Sequence, residues 1–292
     1  MPELPEVETV RRGLADRFVG RRIDSVWVGR ERSVRRTSRE ELTARLTGAT
    51  PVAAQRRGKY LLCPLDTGDM LMIHLRMSGQ VLIDHRDTTR PLHTHVVLDI
   101  GNRDELRFVD PRTFGEVVAY DPREAQRVVP DVVALGLDPL VDELTIADVR
   151  SMLRSTRRGM KALLLDQHLI AGIGNIYGDE ILHRAGISPL RPANRVTGAK
   201  IARLRDAVVS VLTDAVAMGG STLGDAQYVD VSGEGGSFQE NHRVYGRAGE
   251  RCITCGRGVV TSAVVAGRTT SWCRFCQRCG PRRFRPTCGS VH

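Results

Sequence analysis

Cys252-Ile-Thr-Cys255 and Cys273-Arg-Phe-Cys276 form two Cys-x-x-Cys knuckles, separated by seventeen residues, in a chain of 292. This spacing is typical of a ribbon in which thiolates from two hairpin turns bind one tetrahedral zinc ion. A disulfide framework is disfavoured because nothing marks the chain for export, and residues 1–10 lack an apolar signal core. The pattern therefore predicts one structural Zn2+ ion, with four ligands: Cys252, Cys255, Cys273 and Cys276.

The residues around the knuckles add two expectations and leave one question open. Two valine pairs, Val259-Val260 and Val264-Val265, predict two short strands. Cys63 lies in an apolar segment and is expected to be an inert core residue. Cys279 extends the second knuckle and competes as a ligand, and Cys288 is unassigned.

Positive charge is concentrated around these cysteines. The chain carries a net charge of +9, and residues 247–292 contain nine arginines against Glu250 alone. A basic metal module on a nearly neutral body is the electrostatic pattern of a nucleic-acid-binding protein. A solvated basic tail would explain Arg282, Arg283 and Arg285, but it explains the ribbon less well.

The first 121 residues have the pattern of a helix followed by strands. Residues 5–19 place apolar side chains on one face and predict an amphipathic helix that ends at Gly20. Turn residues at short intervals then separate strand-like segments, which favours a β-sandwich over β-α-β units. These segments are Arg22–Val28, Lys59–Leu65, Met70–Leu75, Gln80–Asp84, His95–Ile100, Leu106–Val109 and Glu116–Tyr120.

Helical periodicity replaces the strands after a proline-containing linker at residues 122–144. Helices are predicted at 145–154, 160–168, 175–185 and 197–218, and the glycine-rich segment 219–241 is predicted to be a mobile loop. The fold class is therefore α+β. We expect an N-terminal helix and β-sandwich domain at 1–121, a helical domain at 145–241, the ribbon at 242–279 and a basic tail at 280–292.

Ile170-Ala-Gly-Ile-Gly-Asn-Ile-Tyr177 is the most specific motif of the helical part. Gly172 and Gly174 predict a turn between two helices that leaves backbone N–H groups available where the second helix begins. Together with the Asn175 side chain, such groups can bind a phosphate. A plain helix hairpin uses glycine in the same way, so the motif alone leaves both interpretations open.

Met1-Pro-Glu-Leu-Pro-Glu6 gives the N-terminus a chemical interpretation. If Met1 is removed, Pro2 carries a free secondary amine that can attack an electrophilic carbon and hold it as an iminium ion. Glu3 is the neighbouring proton donor and acceptor. The alternative is that these residues only start a helix, with Pro5 preset for its first turn. The basic cysteine module at the other end of the chain favours the chemical interpretation.

Over residues 1–279 the chain resembles the bacterial formamidopyrimidine-DNA glycosylases. The motifs that carry the resemblance occur in the family's order: Met1–Glu8, Arg57–Tyr60, His74–Gly79, Asp110–Gly115, Gly172–Tyr177, Val244–Arg247 and the four-cysteine ribbon. The resemblance implies a helix–two-turn–helix in the helical domain. It also implies a base-excision enzyme that removes oxidised purines, such as 8-oxoguanine and formamidopyrimidines, from double-stranded DNA and cleaves abasic sites by β,δ-elimination. We further expect a monomer in the bacterial cytoplasm, associated with the nucleoid through DNA and not with a membrane.

The resemblance also implies roles for single residues. Pro2 would attack C1′ of the damaged nucleoside, and Glu3 would protonate the sugar ring oxygen as the ring opens. Glu6 would hold the terminus and its water network. Lys59 and Arg268 would bind phosphates around the nucleotide that has left the duplex, since C1′ is out of reach inside the stack.

A wedge of three residues would fill the space that the nucleotide vacates: Met77, Arg112 and Phe114. Apolar side chains are known to unstack a base step, although Met77 and Phe114 could instead be core residues. Asn175 would bind phosphate, His93 would face the DNA, and Lys161 would lie near the lesion pocket. His93 and Lys161 could equally be solvated surface residues.

Several positions depart from the family's pattern. Arg76 replaces a glycine that is frequent before the wedge methionine, and Gly235-Gly-Ser-Phe238 replaces a frequent Gly-Tyr-Phe in the loop that covers the lesion. The ribbon's inner spacing is one residue longer than is common, and residues 280–292 have no counterpart. These departures leave base preference open, but none falls on Pro2, Glu3 or a zinc ligand.

Two other interpretations remain. A sibling enzyme resembling endonuclease VIII would prefer oxidised pyrimidines, but that branch typically has glycine where this chain has Leu4 and lacks the complete wedge. A non-catalytic DNA-binding protein could keep the fold as a scaffold, but the intact Pro2-Glu3 pair argues against it.

Overall fold

The structure is a computed structural model that describes residues 1–224 and 228–278. It divides into two compact units, Met1–Leu135 with Ala215–Gln239 and Gly136–Asp214 with Glu240–His292, of which the described part ends at residue 278. These limits differ from the predicted domains, because the linker is divided and the glycine-rich segment joins the strands. Two hydrogen bonds explain that assignment: Ser221 N–H donates to Glu6, and Ile83 N–H donates to the carbonyl of Val231.

The first unit begins with helix α1, Leu4–Arg17, close to the predicted range. Pro5 lies in its first turn, and the buried face includes Val7, Val10 and Leu14. Gly20 follows the helix with φ of +79°, a left-handed conformation that glycine adopts without strain. The buried side chains of α1 share one apolar core with residues from both of the sheets that follow.

Two four-stranded antiparallel sheets form the β-sandwich of this unit. One has the strand order β1-β6-β7-β5, and the other has the order β2-β3-β4-β8. The strands are β1 (Ser25–Val28), β2 (Gln55–Arg57), β3 (Tyr60–Pro64), β4 (Met70–His74), β5 (Gln80–His85), β6 (Thr94–Asp99), β7 (Asp104–Val109) and β8 (Glu116–Tyr120). The predicted sandwich and its leading helix are therefore confirmed.

Three local features of this unit were not predicted. Strand β2 and helix α2, Arg39–Leu46, are additional elements, and β1 starts at Ser25 instead of Arg22. The first strand is shorter because Ile23 exchanges backbone hydrogen bonds with the turn at residues 48–49. Helix α2 is capped by Ser38, and its only buried residues are two leucines in a strongly charged segment. Such a segment has little apolar periodicity for a sequence pattern to detect.

The predicted linker is partly folded. Short helices α3, Ala125–Val128, and α4, Pro130–Val133, occupy its first half. Val128 and Val129 are buried against Tyr60 and Met72 of the second sheet. This half of the segment therefore belongs to the sandwich, because its valines find an apolar surface that the sequence alone does not reveal.

The second unit contains the predicted helices. They are α5 (Ile146–Arg154), α6 (Met160–Leu164), α7 (Asn175–Ala185) and α8 (Ala199–Ala217). The last three residues of α8 are assigned to the first unit. Helix α5 begins with a capping box of Thr145 and Asp148, and α7 ends at Gly186 in the left-handed conformation. Helix α6 ends earlier than predicted. Across the described residues, no helix combines the length and apolar character that crossing a membrane requires.

The ribbon consists of strands β9, Val260–Val265, and β10, Arg268–Cys273, paired antiparallel. The prediction that the two valine pairs lie in two strands was wrong, because Val260, Val264 and Val265 all belong to β9. The turn comes later, at Ala266-Gly267, where both residues have positive φ values of 51° and 71°. A two-residue turn with this conformation matches the twist of the paired strands.

Candidate functional site

The N-terminus is held at the start of α1. Pro2 and Glu3 are buried, and the N–H of Glu3 donates to Oε2 of Glu6 at 2.8 Å. The other carboxylate oxygen of Glu6 accepts the N–H of Ser221 at 2.7 Å. Met1 precedes Pro2, so the Pro2 nitrogen is an amide in this chain. The structure therefore brings Pro2, Glu3 and Glu6 together, as the resemblance implied.

Gly220 makes room for the Glu6 carboxylate. A Cβ atom at this position would lie 2.6 Å from Oε1 of Glu6, and the residue has φ of +79°. Both facts require glycine, since an L side chain would clash with the carboxylate and strain the backbone. The first turn of α1 and the beginning of the glycine-rich segment are thus fitted to one another.

Lys59 lies in the tight turn between β2 and β3, where Arg57 pairs with Tyr60. Its side chain is largely buried. Near it, His74 at the end of β4 stacks on Tyr60 with ring centroids 4.0 Å apart. Burial, together with the charges of Arg76 and Lys59, lowers the pKa of His74 well below its usual value. His74 is therefore neutral at neutral pH, beside a cationic side chain.

His74 was not among the predicted site residues. Its Nδ1 atom is buried and has no hydrogen-bond partner among the described residues. A buried polar atom without a partner costs free energy, which the surrounding fold must offset. The signal in the sequence was its place at the head of the His74–Gly79 motif.

The three proposed wedge residues lie on two turns of the first unit. Met77, in the turn after β4, is half-buried, whereas Arg112 and Phe114, in the turn before β8, are exposed. The Arg112 guanidinium carbon lies 5.3 Å from the centroid of the Phe114 ring. The alternative that Phe114 is a core residue is wrong, because 40% of its surface is exposed.

Asp110 joins these two turns. It is fully buried, and its carboxylate accepts Ser78 Oγ at 2.6 Å, Arg112 N–H at 3.1 Å and Gly115 N–H at 2.7 Å. Its own N–H donates to the carbonyl of His93, an exposed residue with φ of +68°. The structure thus places His93 beside the turn that carries Arg112.

In the second unit, Lys161 supports the start of α7. Its ammonium donates to Asp179 Oδ1 at 2.6 Å and to the carbonyl of Asn175 at 2.7 Å. Burial raises the pKa of Asp179 to about 6, opposed by Lys161 and by the N–H of Ser271. The alternative that Lys161 is a solvated surface residue is wrong, because both side chains of the pair are fully buried.

Asn175 and Arg268 lie near each other in this unit. Asn175 Nδ2 donates to the carbonyl of Thr269 at 2.8 Å, and the N–H of Ser271 donates to Asp179 at 2.8 Å. These two contacts attach α7 to β10, whose first residue is the exposed Arg268. The start of α7, the ribbon and their polar side chains therefore form one surface.

One backbone group of the glycine turn is not available for a phosphate. Gly172 has φ of +93°, and its N–H donates to Oε1 of Gln167 at 2.9 Å. The Gln167 amide also donates to the carbonyl of Ile173 at 2.8 Å. The turn is thus braced by a glutamine side chain, so the Gly172 N–H takes no part in the predicted phosphate binding.

The four knuckle cysteines come together as candidate metal ligands. Their sulfur atoms all lie within 4.8 Å of one another. The Cys252–Cys276 and Cys255–Cys273 sulfur pairs are 3.9 and 3.8 Å apart. A tetrahedral zinc ion with bonds of about 2.3 Å separates its sulfur ligands by about 3.8 Å. The donor set therefore fits one zinc ion.

The thiols differ in their surroundings. Backbone N–H groups of Gly258 and Arg257 lower the pKa of Cys255 to about 6, which favours the thiolate that a metal requires. Burial raises the pKa of Cys63 to about 12, as expected for an inert core thiol. Cys279, Cys288 and the basic tail lie outside the described residues.

Gln277 fastens the ribbon to α7. Its side-chain oxygen accepts the N–H of Cys273 at 2.9 Å, and its amide donates to the carbonyl of Ile187 at 3.0 Å. His183 of α7 lies 3.2 Å from the same oxygen. The candidate metal ligand Cys273, and with it strand β10 and Arg268, is therefore held against α7.

Two family models match the chain. The model of the formamidopyrimidine-DNA glycosylase N-terminal domain matches residues 1–117, and that of the H2TH domain of the same enzymes matches residues 135–227. Formamidopyrimidine-DNA glycosylase of Xanthomonas euvesicatoria is 42% identical over 278 residues, covering 95% of this chain and 100% of that protein. That of Geobacillus kaustophilus is 43% identical over 279 residues, with the same coverage.

Solved structures are similar over almost the whole chain. Lactococcus lactis Fpg in complex with DNA containing an abasic site has a TM-score of 0.86 and 35% identity, over 94% of this chain and 99% of that one. MutM in complex with DNA containing carbocyclic 8-oxo-G has a TM-score of 0.86 and 36% identity, over 95% of this chain and 100% of that one.

Removal of one ligand tests the metal centre. We expect about one zinc ion per wild-type chain and its loss in Cys252→Ser, because three thiolates do not close a structural site. Cys63→Ser should retain the metal, and so should Cys279→Ser if the four ligands are correctly chosen. Plasma mass spectrometry measures the metal. A wild-type protein without zinc, or loss of zinc in Cys279→Ser, would contradict this assignment.

A second prediction concerns the stability of the first unit and pH. Since the pKa of His74 is lower in the folded than in the unfolded state, the unfolded chain binds the proton more readily. The stabilisation is therefore present above the ordinary pKa of histidine, pH ~6.5, and is lost progressively as the pH falls below it. His74→Gln should remove this part of the pH dependence in urea unfolding, whereas the exposed control His85→Gln should keep it. Equal pH dependence in wild type and His74→Gln would refute the prediction.

Proposed function

The chain belongs to the formamidopyrimidine-DNA glycosylase family, and on this basis we propose how its residues perform the reaction. It is a DNA-formamidopyrimidine glycosylase with abasic-site lyase activity, an enzyme of base-excision repair that acts on oxidised purines. We propose that its substrates are double-stranded DNA with 8-oxoguanine, formamidopyrimidines or abasic sites. The enzyme would act as a monomer, at the nucleoid in the bacterial cytoplasm.

The proposed nucleophile is the amine of Pro2 after removal of Met1. The amine attacks C1′, the bond from C1′ to the base breaks, and the base leaves with a proton. The nitrogen lone pair then expels the ring oxygen, which takes a proton from Glu3, and an iminium ion remains. Successive β- and δ-eliminations release the two flanking phosphates.

The observation that carries this proposal is the polar anchoring of the N-terminus. Pro2 and Glu3 are buried at the start of α1, and Glu6 fixes the backbone of Glu3 through a 2.8 Å hydrogen bond. The Glu6–Glu3 bond belongs to a capping box, which an ordinary helix start also uses, but the contact of the same carboxylate with Ser221 goes beyond what a helix start requires. Holding a reactive group in one position supplies a large part of catalysis in many enzymes.

Extrusion of the damaged nucleotide is assigned to the wedge of Met77, Arg112 and Phe114. Leaving the stack costs a few kcal/mol, and side chains that fill the gap offset part of that cost. The exposure of Arg112 and Phe114 supports this role, since a residue that enters a duplex must start on the surface. Arg112 would donate hydrogen bonds to the orphaned base and so favour cytosine opposite the lesion.

The phosphates are assigned to Lys59, Arg268 and Asn175, with His93 on the DNA-facing side. Lys161 acts through Asn175 in this proposal, because its ammonium is buried against the Asn175 carbonyl. The metal, which we propose to be zinc, would hold β10 and thereby Arg268. Preference for oxidised pyrimidines, as in endonuclease VIII, is disfavoured by Leu4 and by the complete wedge.

Borohydride trapping tests the nucleophile. Reduction of the iminium ion on an 8-oxoguanine duplex should give a covalent protein–DNA adduct that maps to Pro2. An uncleaved N-terminal tag should abolish both adduct and nicking, because it turns the amine into an amide, whereas the same tag at the C-terminus should leave both intact. Full activity of the N-terminally tagged protein would disprove the assignment. Binding without nicking by an untagged, processed chain would instead favour the non-catalytic scaffold.

Arg112→Ala separates extrusion from bond cleavage. Excision of 8-oxoguanine paired with cytosine should slow roughly 5- to 150-fold, since lost base contacts cost roughly 1–3 kcal/mol. The ratio of the excision rate with cytosine opposite the lesion to the rate with adenine opposite it should fall. Cleavage of a pre-formed abasic site should persist, because no base has to be expelled. Single-turnover rates measure both steps, and Arg123→Ala, at a side chain that is 89% exposed, is the control. Equal losses on the two substrates would rule out the wedge role.

A further inference from the structure

Glu116 is a buried carboxylate that holds three arginines. It is the first residue of β8, directly after the turn that carries Arg112 and Phe114, and it is 2% exposed. It accepts Arg35 at 2.5 Å, Arg76 at 3.1 Å and also the guanidinium of Arg36. One buried acid thus fixes the positions of side chains that come from two other segments of the first unit.

One of these arginines, Arg35, and its neighbour Arg32 bind the backbone of the turn at residues 111–115, here called the wedge turn. Arg32 Nε donates to the carbonyl of Thr113 at 3.1 Å. Arg35 donates to the carbonyl of Phe114 at 3.0 Å and to that of Gly115 at 3.4 Å. Three consecutive carbonyl groups are therefore bound by arginines from the short 3-10 turn Glu31–Val34 and the residue after it.

The wedge turn needs such support because its backbone is strained. Thr113 has φ of +56°, which is unusual for a β-branched residue. Backbone conformations of this kind persist only where the surroundings hold them, and they are frequent at functional sites. Arginine is suited to hold it, because its planar group presents several N–H donors at once, whereas lysine presents a single ammonium.

The turn that carries Met77 is attached to the same two acids. Arg76, before Met77, donates to Glu116, and Ser78, after it, donates to Asp110. Asp110 and Glu116 stand at the two ends of the other wedge turn. Arg76 also has a positive φ of +54°, so this departure from the family's frequent glycine is offset by its contact with Glu116. The turn that carries Met77 is thus bound to the wedge turn through the residues before and after Met77.

We propose that Arg35, held by Glu116, is a positioning residue that fixes the wedge before DNA binds. The inference rests on the proposed wedge role of Met77, Arg112 and Phe114. Ordering a loop costs conformational entropy, and a turn that is already ordered avoids that cost when it enters the duplex. Arg35 therefore acts on base extrusion and not on bond cleavage.

Arg35→Lys tests this inference, because it keeps the charge and removes the fork of donors. Single-turnover excision of 8-oxoguanine paired with cytosine should slow roughly 10- to 100-fold, the scale expected when a remote change displaces a functional group by about 1 Å. The fluorescence rise of 2-aminopurine placed beside the lesion, which reports unstacking, should slow by the same factor. Cleavage of a pre-formed abasic site should stay within about twofold.

Arg39→Lys is the matched control. Arg39 lies in the same basic segment and is 45% exposed, and it pairs with Glu31 at 3.4 Å. Its replacement should leave both rates and the fluorescence signal unchanged. Thermal unfolding of all variants shows whether they are folded. If the Arg35→Lys variant does not fold, Arg32→Lys replaces it. This substitution removes the Thr113 contact and leaves Glu116 untouched, and it should slow excision selectively in the same way, to a smaller extent.

Three results would overturn the inference. Equal losses on the lesion and the abasic substrate would assign Arg35 to the fold or to bond cleavage. A loss in Arg35→Ala without one in Arg35→Lys would assign it to phosphate binding by charge alone. An unchanged excision rate in a folded Arg35→Lys variant would show that Arg35 has no positioning role. In that last case, slow excision by Arg112→Ala would show that the wedge itself still stands.

Discussion

The carboxylate of Glu6 joins two parts of the chain that are 215 residues apart in sequence. It accepts the N–H of Glu3 on one side and the N–H of Ser221 on the other. Burying a carboxylate is costly unless its oxygen atoms receive hydrogen bonds, so the first turn of α1 and the start of the glycine-rich segment stabilise one another. The N-terminal end of the chain is thereby fixed by a segment made late in synthesis, and Gly220 is the residue that permits the approach.

Buried carboxylates that accept several hydrogen bonds also hold other segments of the candidate site in place. Asp110 binds the two wedge turns to one another, and Asp179 binds the ribbon to α7. Glu180, its neighbour on α7, accepts three successive backbone N–H groups at residues 243–245. Each acid is buried and accepts several donors, which makes its geometry rigid and the removal of a partner expensive. Turns that would otherwise vary in conformation are therefore held in single conformations.

Local signals in the sequence were sufficient for some elements and not for others. Helix α7 was predicted at its observed limits, because a glycine turn precedes it and Gly186 ends it. The sulfur cluster followed from spacing alone. The two strands of the ribbon were misplaced, since a repeat of valines cannot distinguish two short strands from one. Burial of Lys161 was not foreseen either, because an ion pair with Asp179, 18 residues away, leaves no periodic pattern. Glu116 was missed for the same reason, because its arginine partners lie 40 to 81 residues away, and the contact of Asp110 with Ser78, 32 residues away, was missed with it.

Two groups of arginines in the described part of the chain should respond differently to ionic strength. Those around Glu116 interact with a buried carboxylate and with backbone carbonyls, where dissolved ions screen little. Arg268 is exposed, and the phosphate contact that we propose for it would depend on counterion release, which weakens steeply as salt rises. On this proposal, affinity for DNA and discrimination of the lesion are separable properties. As the salt concentration rises, the enzyme should dissociate sooner from undamaged duplex. Its discrimination between a damaged and an undamaged base should change little.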